Sequence, residues 1–97
     1  MQIEGDTIKF KSDAGFFSIE EMGWKPNTIR ILDKNEITKI NAWWGSNNYH
    51  YIEITSTGGK SFKRTLTWIG KLDDFLGKEI YMFCWKHPST RRNEKCI

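Results

Sequence analysis

Within the stretch EEMGWKPNTIRIL, Glu20 to Leu32, four residues follow the order G-x-K-x-x-T-x-R: Gly23, Lys25, Thr28 and Arg30. These residue types can perform acyl chemistry. A partly buried lysine beside a helix end can lose its proton near neutrality, because desolvation disfavours the ammonium. A neutral Lys25 can then take the proton from Thr28 and make its hydroxyl a nucleophile toward an acyl carbon. Arg30 can hold a carbonyl oxygen or a phosphate through two parallel N–H bonds. Trp24 adds an aromatic face on which a base can stack. Each residue also has an ordinary structural account: Gly23 ends a helix, Lys25 and Arg30 point to water, and Thr28 belongs to a strand.

The elements that must position these residues follow from hydrophobic period. DTIKFK alternates Thr7, Lys9 and Lys11 with Ile8 and Phe10, which predicts a half-buried strand. In SDAGFFSIEEMGW, Phe16, Phe17, Ile19 and Met22 share one helical face, with Ser12 or Asp13 as cap and Gly23 at the end. Pro26 turns Lys25 away from helical dihedrals, and TIRIL continues as a strand. DKNEITKINA predicts a second short helix capped by Asp33, with Ile37 and Ile40 inward; WWGSNN then reads as a loop. YHYIEIT and KSFKRTLTW alternate on either side of STGG, a hairpin signal. EIYMFCW is long enough for a strand covered on both faces.

A chain of 97 residues holds one core. Four or five strands and one or two short helices imply an α+β, mainly antiparallel structure. A strongly curved sheet or small barrel is the economical way to limit exposed edges in so short a chain. No apolar run approaches the ~18 residues of a membrane span, and no leader pattern opens MQIEGDTIKF; a cytoplasmic protein is expected. The net charge of +3 is carried by the final dozen residues, where Lys86, Arg91, Arg92 and Lys95 face only Glu94. The body is therefore balanced, which argues against a broad non-specific nucleic-acid groove and leaves room for a small pocket.

Several other signals have plainer meanings. TGGKS lacks the first glycine of a phosphate-binding loop, since Ile54 stands there; a hairpin turn explains it. Asp73 and Asp74 read as solvated charges on an irregular segment. Trp43 and Trp44 can stack bases or cover an open end of a barrel. The basic tail can touch phosphates or be a solvated terminus. Cys84 and Cys96 are too few for a disulfide framework; Cys84 reads as a small buried residue and Cys96 as an exposed one. His50 and His87 have no ligand partners at useful spacing, so no metal site is expected.

The G-x-K-x-x-T-x-R order resembles the signature of the ASCH domain, a small barrel of the PUA-like superfamily. In that family a helix ends at the glycine, and a lysine and an arginine from the following turn and strand line the main cleft. The spacing is similar to that of small bacterial ASCH proteins that deacetylate N4-acetylcytidine, which would make Lys25 and Thr28 the catalytic lysine and threonine. GWKPNTIRIL, SFKRTLTWI and YMFCW are also similar to small phage and prophage proteins that resemble divergent members of this superfamily. The deacetylating subgroup adds a glutamate from a helical insertion after the central strands. Here WIGKLDDFLGKE takes that place, and Asp73, Asp74 and Glu79 match no motif.

The resemblance, which spans roughly residues 7–86, implies a PUA/ASCH-like barrel over residues 1–86; residues 87–97 read from their composition as a basic, flexible tail. Its cleft is expected to bind RNA or a nucleoside-like ligand through Trp24, Lys25, Thr28 and Arg30. Lys63 and Arg64 are further candidates, of which strand alternation lets only one face the cleft. One alternative is an amidohydrolase acting on an acylated base, with Thr28 as nucleophile and Lys25 as base. Another is a phage accessory protein that binds a host protein through Trp43, Trp44 and the tail. A monomer without cofactor is expected.

Overall fold

A computed structural model of the chain describes residues 1–12 and 26–86. The expected helix before Gly23, Trp24, Lys25, Cys96 and the tail lie outside the described residues. Among the described residues, six strands and one helix follow in order: β1 Gln2–Glu4, β2 Thr7–Ser12, β3 Asn27–Leu32, α1 Lys34–Ser46, β4 Tyr51–Ser56, β5 Ser61–Phe75 and β6 Lys78–Trp85. They form one sheet in the order β1-β2-β4-β5-β6-β3. The β2–β4 pair is parallel and the others are antiparallel.

Strand alternation divides the side chains between two faces. Register places Ile8 beside Ile52, Phe10 beside Ile54, and Ile54 beside Phe62. These residues, with Leu66, Phe83 and Trp85, form the inner face. Ile40 and Trp43 of α1 join the same core, in which Ile8, Ile52, Ile54 and Phe83 are fully buried. Burial of each such side chain contributes about 1.5–3 kcal/mol before conformational entropy is charged against it.

The sheet curls but does not close. Phe10 of β2 and Phe83 of β6 meet edge to face, ring centres 4.9 Å apart, although β4 and β5 lie between their strands in the sheet order. In a flat sheet three strand spacings would separate them by about 14 Å. β5 makes this curl possible. Its first half pairs with β4, its second half with β6, and register shifts fall between Leu66 and Trp68 and between Lys71 and Asp73. Such irregularities bend a strand and increase its twist. The expected barrel is thus an open, strongly curved sheet, with β1 and β3 at its ends.

Helix α1 starts as expected. The Asp33 side chain accepts from the Glu36 N–H at 2.8 Å, and Glu36 accepts from the Asp33 N–H at 3.1 Å, a reciprocal capping box. It runs further than expected, through Trp43 and Trp44 to Ser46. Trp43 extends the inward face begun at Ile40, one turn on, and its indole N–H donates to the Gly5 carbonyl at 2.8 Å. The Asn47 amide and Ser46 hydroxyl donate to the Trp43 carbonyl, satisfying an orphan group at the helix end.

Other expectations are revised. Asp73 and Asp74 belong to β5, not to an irregular segment. β5 turns into β6 through Leu76 and Gly77, at φ 49° and 80°. The last strand is fully buried only over Phe83, Cys84 and Trp85. Cys84 is buried as expected, and its sulfur is in a disulfide. The STGG turn is a hairpin, closed by Ser56 N–H to the Lys60 carbonyl at 2.6 Å.

Candidate functional site

Arg30 is the sequence candidate that the fold places at a concavity. On β3, Thr28 and Arg30 stand opposite Phe83 and Tyr81 of β6, which turns both toward the inner face. The Arg30 Nε donates to the Thr28 hydroxyl at 3.1 Å, and its Nη1 donates to the Lys11 carbonyl at 2.8 Å. The guanidinium lies over the Phe10 ring, 4.8 Å from its centre. Arg30 thereby spans from β3 to β2, the place where the curled sheet lacks a backbone ladder.

An open concavity of about 460 Å³ lies at this seam, lined by Met1, Gln2, Lys9, Phe10, Lys11, Arg30 and Thr55. Its size lies within the range of small-molecule sites. Three of the lining residues are cationic and none is a carboxylate. Glu4 and Glu53 stand behind Lys9, at 2.7 and 3.9 Å from its ammonium. The Glu4 hydrogen bond, against an opposing desolvation and with help from both carboxylates' charge, holds the Lys9 pKa above its ordinary value. Lys11 has no ion pair among the described residues.

Thr28 does not line this concavity. It is buried, 3% exposed, and its oxygen accepts from Arg30, so it braces the arginine. Lys25 and Trp24 lie outside the described residues; Thr28 and Arg30, which are described, are brought together. Lys63 and Arg64 occupy opposite faces of β5, as alternation requires. Arg64 is aligned with Ile52 on the inner face, its guanidinium 4.8 Å from the centre of the Phe62 ring. Lys63 is on the outer face, its ammonium 4.9 Å from the centre of the Tyr51 ring. Neither lines the Arg30 concavity.

The carboxylates considered as substitutes for a catalytic glutamate are engaged elsewhere. Lys71 pairs with Asp74 at 2.9 Å and with Glu79 at 3.7 Å. Asp73 faces outward beside Ile80. Trp43 covers the core, while Trp44 stacks on His50 with ring centres 4.1 Å apart. Among the described residues, no group of three or more His, Cys, Asp or Glu can hold a metal ion, and no helix is long and apolar enough to cross a membrane.

Sequence reasoning missed Gln2, Lys9, Lys11, Phe10 and Thr55 as site residues. The alternating lysines of DTIKFK were visible. What was not visible is that β2 would lie parallel to β4 and close against β3, which gathers these residues around Arg30. Compared with family models, curated proteins and solved structures, the chain matches none.

Proposed function

We propose that this protein is a binding module for RNA or a nucleoside-like ligand, seated in the concavity at the β2–β3 seam. One observation carries the reading: Arg30 is fixed by Thr28, the Lys11 carbonyl and the Phe10 ring at a wall with cations and no carboxylate. A guanidinium held in advance loses little freedom when it meets a phosphate or a base carbonyl. Lys11 supplies a second positive charge for the same anion, and the Thr55 hydroxyl and Gln2 amide can bond sugar or base edges. The position of Thr28 behind Arg30 favours binding over Thr28-based hydrolysis.

Calorimetric titration with nucleoside monophosphates, at several salt concentrations, tests this. Binding is expected to weaken as salt rises, and Arg30→Ala is expected to remove most of it while Arg30→Lys restores only part. Affinity indifferent to salt and to Arg30→Ala would overturn the reading.

A further inference from the structure

We propose that the outer face of β2, β4 and the first half of β5 is a track for single-stranded nucleic acid, running from the Arg30 concavity to Tyr51 and Lys63. This rests on the proposed binding role of the concavity and extends it from one nucleotide to a strand. The concavity opens onto this face, because Gln2, Lys9, Lys11 and Thr55 all stand on it. Along β4 the outward residues after Thr55 are Glu53 and then Tyr51, with Lys63 opposite Glu53 on β5. Thr55 and Tyr51 are four residues apart, about 13 Å at the rise of a strand. That is beyond the reach of a nucleoside seated at Thr55.

The chemistry of the face suits a strand. Lys63 lies over the Tyr51 ring, so a cation and an aromatic surface form one patch; a base stacking on Tyr51 moves the flexible lysine toward a phosphate. Glu4 and Glu53 are both engaged by Lys9. Lys11 and Lys63, at the two ends of the track, have no ion pair among the described residues. Ser61 and Thr65 present hydroxyls beside Thr55 and Tyr51, donors and acceptors for sugar and phosphate. The outer face of the other half-sheet is unlike this one: Ile29 and Ile31 are each 51% exposed and Trp68 is 43% exposed. That face also carries Asp73 and Lys78, but its exposed Ile29, Ile31 and Trp68 make it more apolar than the side onto which the concavity opens. Stacking on Tyr51 requires an unpaired base, which selects single strands over duplexes.

The test is fluorescence anisotropy and competition with uridine monophosphate, oligo-U and oligo-dT hexamers, and a duplex hexamer. The proteins are the full chain and its Tyr51→Ala, Lys63→Gln and Arg30→Ala variants, with circular dichroism to confirm folding. A single-stranded hexamer should bind at least tenfold tighter than the monophosphate. Tyr51→Ala should weaken the hexamer about five- to a hundredfold, the range seen for loss of one stacked base, and leave the monophosphate unchanged. Lys63→Gln should lower the slope of log affinity against log salt by about 0.7. Either oligomer supports the track. Three outcomes overturn the track while the concavity stands: a hexamer no tighter than the monophosphate, silent Tyr51 and Lys63 variants, or a duplex bound as tightly. If the monophosphate and the hexamers all fail to bind, both readings fall.

Discussion

The Thr28 hydroxyl accepts a hydrogen bond from the Arg30 Nε at 3.1 Å, and the two residues share the inner side of β3. Thr28 is therefore a positioning residue for the arginine. Thr28→Val keeps the shape and removes the acceptor, at a cost of about 1–3 kcal/mol for the donor left behind. Ligand affinity should fall in parallel, and Thr28→Ser should rescue both. Urea unfolding and titration calorimetry on the two variants check this; a valine variant with unchanged affinity would exclude the bracing role.

Alkaline pH should destabilise the fold. Burial, then the charge of Glu79, raises the Tyr81 pKa above its ordinary 10.0. The Asp74 hydrogen bond leads the rise of Lys71 above 10.5, as the Glu4 bond does for Lys9. In each case the folded state holds its proton more tightly than the unfolded chain. The stabilisation is complete below the unfolded pKa and is lost as pH climbs through the folded value. Urea midpoints should hold between neutrality and about pH 9, then fall above about pH 10. Tyr81→Phe should flatten part of that decline, a comparison that isolates the phenol from the exposed lysines.

Leu76 sits at φ 49° and is 88% exposed. A branched side chain gains almost no burial there and carries the cost of a left-handed backbone. Asparagine tolerates that conformation and would give the Asn-Gly pair favoured in tight hairpins. Leu76→Asn should stabilise the protein by about 1 kcal/mol, read as a higher midpoint in thermal melts.

Cys84 is a buried, disulfide-bonded residue on the outward side of β6, opposite Asn27 and Trp68. Thiol labelling in denaturant should leave Cys84 unmodified until a reductant is added, and peptide mapping will show it. Disulfides are rare in the cytosol of most organisms. Labelling of Cys84 in protein captured from cells without reductant would therefore report directly on the compartment.

Much of the fold was legible where a local pattern was complete in itself. The β4–β5 hairpin, the cap at Asp33 and the inward Ile37–Ile40 face each carry their signal within a few residues. The continuation of α1 was hidden because Trp43 and Trp44 have no strong helical preference, and burial of Trp43 against Gly5 decides the matter from a distance. The second half of β5 was hidden by its bulge, which breaks the period of two around Lys71 and Asp73. Arg30 was identifiable by type and spacing. Its companions were not, because β2 and β3 meet through curvature, and no periodicity in either strand encodes which strand will face it.

The parallel β2–β4 ladder has a kinetic consequence. Unlike the β4–β5 and β5–β6 hairpins, it cannot zip from a turn, since β3 and α1 intervene in the chain. Closing that long excursion costs entropy before any contact repays it. The consecutive hairpins should therefore assemble first and β2 should dock onto them late. On that pathway the cationic seam has no existence in the early collapsed species, and binding competence arrives only with the final step of folding.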